Sequence, residues 1–220
     1  MTITANSMIE DVAKYLSDYD EDESYVHWSP QDLLSYFKKA VGIIASVKRD
    51  NFTKRTIIKL KPGAVQDVPE TCESDVTVYG LANDDGVVER LARRTKLWTY
   101  PSIGRPVCRG KTSGDGYVMQ SYDYDADNPR QILVEPPVPE GVNVDLVISC
   151  YIPPTITGEN SEVALSEDLE AAVFELMLYY AWGVDIEDTA TRERSQQHWN
   201  NAMSLLQLSQ TAQATARRIR

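Results

Sequence analysis

Side chains able to do chemistry are scarce in this chain, and their spacing fails each reaction that would need them. Two histidines stand in 220 residues, His27 and His198, each beside a tryptophan, Trp28 and Trp199. A histidine–carboxylate–nucleophile triad would have to use one of them, and neither stands in a G-x-S-x-G nucleophile elbow. Packing at helix termini is the simpler reading of both pairs. The three cysteines, Cys72, Cys108 and Cys150, are far apart and odd in number, with no C-x-x-C pair. They predict neither a zinc site nor a disulfide framework, as in a reducing cytoplasm. Gly110-Lys111-Thr112 looks like the end of a phosphate-binding loop. That fingerprint needs a glycine five residues before Gly110, where Arg105 stands, and Pro106 and Arg109 spoil the cradle of N–H groups. Asp123 to Asn128 opens like a calcium loop. Asn128 replaces the sharp-turn glycine, Pro129 follows, and Val134 stands where a bidentate glutamate belongs. Turn chemistry accounts for these Asp and Asn residues. The reading is of a protein that is not an enzyme: no catalytic, cofactor-binding or metal-ligating residue is assigned, and no cofactor is expected.

Charge is more informative. The formal net charge is −11, which suits a poor wrapper of nucleic acid, since phosphate binding needs clustered Lys and Arg. Asp18, Asp20, Glu21, Asp22 and Glu23 crowd one early loop and read as solvated. From Glu89 to Lys111 the balance reverses, with Arg90, Arg93, Arg94, Lys96, Arg105, Arg109 and Lys111 against Glu89 alone. The chain closes on Arg217-Arg218-Ile219-Arg220. Such segregation suits a surface that meets several partners. The candidate partner contacts are therefore Arg90, Arg93, Arg94, Lys96, Arg105, Arg109, Arg217, Arg218 and Arg220. No apolar run approaches the roughly 18 residues of a membrane span, and Met1 to Ala13 lacks the features of a secretory signal.

The elements that must position these residues follow the order helix, helix, strands, helix, helix. Ser7 is the expected cap of a first helix with Ile9, Val12, Ala13 and Leu16 at helical spacing. Ser29, Pro30 and Asp32 start a second, whose stripe is Leu33, Leu34, Phe37, Ala40, Val41 and Ile44. Thr56 to Leu60 and Val76 to Tyr79 are strand candidates. Residues 83–114 read as a long irregular excursion with a short helix near Val88 to Thr95. Tyr117 to Tyr124 and Gln131 to Glu135 flank turn residues as a hairpin, and Val142 to Cys150 alternates as a half-buried strand. Ser166 starts a third helix through Leu169, Ala172, Val173, Leu176, Met177 and Tyr180, closed by Gly183. Asp188 or Thr189 starts a fourth with Trp199, Ala202, Met203 and Leu206 on one face. The expected fold is α+β: a four-helix bundle formed by both chain ends with an inserted antiparallel β module. Its parts are 1–52, the insertion 53–153, 164–208, and a polar, basic tail 209–220 that is either loose until it meets a partner or a helix end.

Short segments in this order resemble a known family. They are Trp28-Ser29-Pro30 with Leu33-Leu34, Tyr36 and Ala40; Leu60 to Pro69; Tyr122 to Asp125; Asn128-Pro129-Arg130; Val134 to Pro139; Leu165-Ser166-Glu167 with Leu169 to Tyr180; and Arg194 with His198-Trp199. Together they are similar to the head-to-tail adaptor, or connector, proteins of short-tailed bacteriophages over roughly residues 7–208. Residues 83–114, longer and more basic than that pattern, and the extension past Leu208 depart from it. The resemblance implies a virion structural protein of the tail or neck, made in the host cytoplasm. It implies a homo-oligomeric ring, usually of twelve copies, between portal protein and tail tube or nozzle protein. DNA would pass through its lumen during genome ejection without sequence-specific binding, and no membrane is involved. Two rival readings predict different behaviour. A tail-completion or terminator protein would also be annular. A monomeric enzyme or binding protein would carry a concave, polar-lined pocket.

Overall fold

The computed structural model describes residues 2–18, 25, 27–82, 88–91, 93–94, 117–125, 127–184 and 189–218, with backbone alone at 88–91, 93 and 208–218. In chain order the elements are β1 (Thr2–Thr4), α1 (Ala5–Tyr15), α2 (Pro30–Val47), a 3-10 turn (Arg49–Phe52), β2 (Thr53–Lys59), β3 (Gly63–Asp67), β4 (Ser74–Ala82), β5 (Val88–Leu91), β6 (Arg93–Arg94), β7 (Ser121–Tyr124), β8 (Gln131–Val138), β9 (Asp145–Tyr151), β10 (Glu162–Ala164), α3 (Glu167–Trp182) and α4 (Thr189–Arg218). They form two compact units, Met1–Asn51 with Pro154–Arg220, and Phe52–Pro153. The fold is α+β, with helices drawn from both chain ends and a β module inserted between them.

In the helical unit, β1 pairs antiparallel with β10, Ile3 opposite Val163, and so ties the first residues to the approach to α3. Because β1 stays extended up to Thr4, helix α1 begins earlier than its sequence suggests. Thr4, not Ser7, is the cap, and its Oγ1 accepts from the Ser7 N–H at 3.2 Å. Helix α2 begins as its sequence dictates. The Ser29 hydroxyl accepts from the Asp32 N–H, and the Asp32 carboxylate accepts from the Ser29 N–H. Its apolar stripe buries Leu33, Phe37, Ala40, Val41 and Ile44. Helix α3 packs against α1, α2 and α4. Accordingly it buries residues around much of its circumference, from Leu169 to Ala181. Gly183 closes it with an ordinary φ of −79°. What selects glycine there is closeness, since a Cβ would stand 3.0 Å from the Tyr179 carbonyl oxygen. Helix α4 turns Ser195, Ala202 and Leu206 inward and continues through 209–218, where the sequence left a tail open.

Asp18 overturns its reading as a solvated loop residue. It is buried, and its two carboxylate oxygens accept from the N–H groups of His27 at 2.7 Å and Trp28 at 2.9 Å. The other acidic residues of that loop, 20–23, lie outside the described residues.

Lys48, the C-cap of α2, is buried at 3% exposure, and its ammonium makes no hydrogen bond. Burial depresses its pKa, and Asp50 offsets this in part. An unsatisfied buried donor costs about 1–3 kcal/mol. Lys48→Met is therefore expected to raise stability by about that amount at neutral pH. The unfolded chain keeps the proton at higher pH than the folded one, so wild-type stability rises with pH up to the ordinary lysine value of 10.5. The Met variant's advantage should shrink over the same window. Denaturant titrations at pH 7 and pH 10 test this, and a destabilised variant at pH 7 would refute it.

The inserted unit is a sandwich of two four-stranded sheets, β2-β9-β4-β5 and β3-β8-β7-β6. Ile58, Val78, Leu146 and Ile148 of the first share one core with Tyr122, Ile132, Val134 and Val138 of the second. Pairing is antiparallel except for the two-residue β6, which runs parallel to β7. The helix expected near Val88 to Thr95 is not formed. Val88–Leu91 pairs with β4, and Arg93–Arg94 pairs with β7. A short run without sustained periodicity takes the form its neighbours offer, and an open sheet edge offers strand.

The largest departure from the sequence reading is a disulfide. Cys72 and Cys150 are bonded, both fully buried, with Cα atoms 5.5 Å apart and a sequence separation of 78. Odd number and long spacing argued against a framework. Spacing along the chain says nothing of distance across a sandwich, and β9 runs beside β4, which Cys72 precedes.

Candidate partner interfaces

The basic residues read from the sequence fall into three groups. Arg90 lies on β5, and Arg93 and Arg94 on β6, so the structure brings these three to the edge strands of the two sheets. Arg94 is exposed, and its guanidinium donates to the Tyr124 carbonyl oxygen at 2.7 Å, fixing β6 against β7. Lys96, Arg105 and Arg109 lie outside the described residues, as does the Gly110-Lys111-Thr112 loop. Arg217 and Arg218 end α4, and Arg220 lies outside the described residues.

Several of the short segments that carry the family resemblance are joints of the sandwich. In Leu60 to Pro69, Gln66 is buried. Its Oε1 accepts from the Lys61 N–H at 2.7 Å, and its Nε2 donates to the carbonyls of Lys61 and Gly63, each at 2.9 Å. One side chain thus holds a turn that needs Gly63 at φ +114°. In Asn128-Pro129-Arg130, the Arg130 guanidinium donates to the carbonyls of Glu70 at 3.0 Å and Cys72 at 3.1 Å, fixing the approach to the disulfide. The Asp125 carboxylate accepts from the Asp127 N–H at 3.0 Å, so the calcium-like loop is an Asx turn. In Val134 to Pro139, the carbonyl of Pro136 accepts from the Tyr117 hydroxyl at 2.5 Å, and burial pushes that phenol's pKa up to about 12.

The helical unit carries an aromatic array that the sequence reading missed. Tyr36 of α2 stacks on Tyr180 of α3, with centroids 5.9 Å apart, and Lys39 Nζ sits 5.6 Å and 5.3 Å from their two centroids. Tyr179 meets both Tyr180 and Trp199 of α4. Trp28 stands edge-on to Trp182, over whose ring Arg194 lies at 5.2 Å. The Tyr36–Lys39 spacing of one helical turn was visible in sequence. The partners on α3 and α4 were not, because they depend on how the helices pack.

His27 and Trp28 precede the α2 cap and pack edge-on, as their sequence suggests. His198 does not sit at a helix terminus. It lies inside α4 with Nδ1 2.8 Å from Glu175 Oε2, an oxygen that also accepts from Asn201 Nδ2 at 3.2 Å. Tyr15 stands edge-on to His198 and Phe174. With no nucleophile in this cluster, its work is to join α1, α3 and α4. Among the described residues no group of His, Cys, Asp or Glu side chains could hold a metal ion, and no helix is long and apolar enough to cross a membrane.

The arrangement suits binding to other proteins. It offers an exposed cation at a strand edge, Arg94, and exposed cations on aromatic rings, Lys39 and Arg194. Residues 3–220 match the family model described as SU10 adaptor protein. No curated protein matches the chain.

Proposed function

The chain belongs to the SU10 adaptor protein family and is a head-to-tail adaptor of the phage virion, at its tail or neck, and from this premise we propose that its copies form a ring between portal protein and tail. The observation that carries the reading is the extent of the match, which spans both compact units. A ring of about twelve copies, as is usual among phage adaptors, would meet portal protein on one face and the tail tube or nozzle protein on the other. A net charge of −11 suits a channel that lets DNA phosphate slide without sticking, wherever the lumen shares that sign. Arg90, Arg93 and Arg94 at the strand edges, Lys96, Arg105 and Arg109 in the excursion, and Arg217, Arg218 and Arg220 at the chain end are the proposed contacts with acidic partners.

Mixing the purified protein with the portal protein of its phage tests the ring. Light scattering and negative-stain images should give an annular complex. A protein that stays monomeric with portal would overturn the proposal. A ring that forms on tail tube but not on portal would favour a tail-completion or terminator role. For the basic contacts, Arg93→Glu is the cleaner probe, because Arg94→Glu also loses the bond to the Tyr124 carbonyl. The expected result is at least tenfold fewer tailed, infectious particles. Particles of normal infectivity would sink that assignment.

A further inference from the structure

We propose that the cation–aromatic face of the helical unit receives the carboxylate-rich opposite end of a second copy of this chain. The inference rests on the ring reading and names the contact that would close the ring.

Lys39 and Arg194 are both exposed, and neither makes an ion pair among the described residues. This is unexpected in an acidic setting. Of the 33 acidic residues 19 lie in the helical unit, with only 10 of the 22 basic ones. Both cations rest instead on aromatic rings. A ring face holds a cation in place without neutralising it, so the charge stays available to a carboxylate. Half-buried Tyr and Trp side chains with Arg are also the residues that interfaces favour. Beside Trp182 the chain exposes Val184 at 64%, an apolar surface next to the array.

Unpaired carboxylates stand at the other end of α3. Glu162 on β10 and Glu167 and Asp168 at the start of α3 are exposed and make no ion pair among the described residues. Glu167 and Tyr180 stand 13 residues apart on α3, so about 20 Å of helix separates that end from the array. Carboxylates there favour their own helix dipole, and among the described residues no cation pairs with them. Unpaired cations at one end and unpaired carboxylates at the other can be matched by an antiparallel twofold pair, but such a pair closes on itself and does not continue round a ring. A head-to-tail contact satisfies both at once. It is also the heterologous geometry from which closed rings are built.

The test uses two variants of the full chain. Lys39→Glu with Arg194→Glu makes both ends acidic, and Glu162→Lys with Glu167→Lys makes both ends basic. Each alone, mixed with portal protein, should give at least tenfold less ring-sized complex. An equimolar mixture of the two should restore it, because every junction then sets acid against base. The neutral pair Lys39→Gln with Arg194→Gln should give a smaller loss, and its thermal unfolding checks that the fold is retained. If wild type forms no ring on portal, the ring reading falls and this contact with it. Wild-type rings matched by both charge-reversed variants would overturn the contact alone. Loss in each variant without rescue by mixing would assign Lys39 and Arg194 to another partner and overturn the proposal.

Discussion

Reducing the Cys72–Cys150 disulfide is expected to lower the unfolding free energy of the sandwich by about 4–5 kcal/mol. The bond joins residues 78 apart, one before β4 and one on the central strand β9. Cross-linking so long a loop removes much conformational freedom from the unfolded chain, and the chain-entropy relation for a loop of this length gives the quoted figure. Both sulfurs are fully buried, and the approach to Cys72 is already held by Arg130, so the folded state should gain little freedom on reduction. Denaturant unfolding with and without reductant measures the effect. Cys72→Ala should reproduce it without reductant, while Cys108→Ala should leave it unchanged. Thiol titration of the unfolded, unreduced protein should find one free cysteine of the three. Three free thiols with reductant-insensitive unfolding would exclude the bond.

The second large effect belongs to the helical unit. Phe37→Ala should cost about 3–5 kcal/mol, from lost transfer free energy and the cavity left behind. Phe37 is completely buried on α2, in a stripe with Leu33, Ala40, Val41 and Ile44. Helix α2 packs on α3, which is itself held by α1 and α4, so neighbours have little room to collapse into the space. Lys38→Ala, one residue along and exposed, should change stability by less than about 0.5 kcal/mol. Denaturation midpoints of the two variants decide the matter. A Phe37→Ala midpoint close to wild type would mean that this stripe does not face the core.

Local rules carried the helices well, because their signals lie within a few residues of each other. The Ser29–Asp32 capping box and the spacing from Leu169 to Met177 are both read directly from sequence. Where the sequence reading failed, the deciding partner was distant. The strand at Val88–Leu91 exists because β4 offers an edge. The disulfide exists because two strands of a sandwich run side by side. Asp18 looked like one more residue of an acidic loop until His27 and Trp28 brought their N–H groups to it. The proposed partner surfaces divide in the same way. Charge reversal between Glu89 and Lys111 is a property of neighbours in sequence and was legible. The aromatic array joins α2, α3 and α4, and no window of sequence contains it.

The helical unit is assembled from residues at both ends of the chain, and this has a consequence for how the protein is made. Helices α1 and α2 leave the ribosome first, but α3, the helix they pack against, begins about 120 residues after α2 ends. At typical rates of about 5–20 residues per second that is a wait of roughly 6–24 s. The sandwich, whose last strand precedes α3, can close during the wait. The aromatic array needs Tyr36, Tyr180 and Trp199 together, so a nascent or truncated chain does not possess it. If the array is the joining surface proposed above, a subunit acquires that surface last. On the ring reading, unfinished chains would thereby be kept out of an assembly that one defective member would spoil.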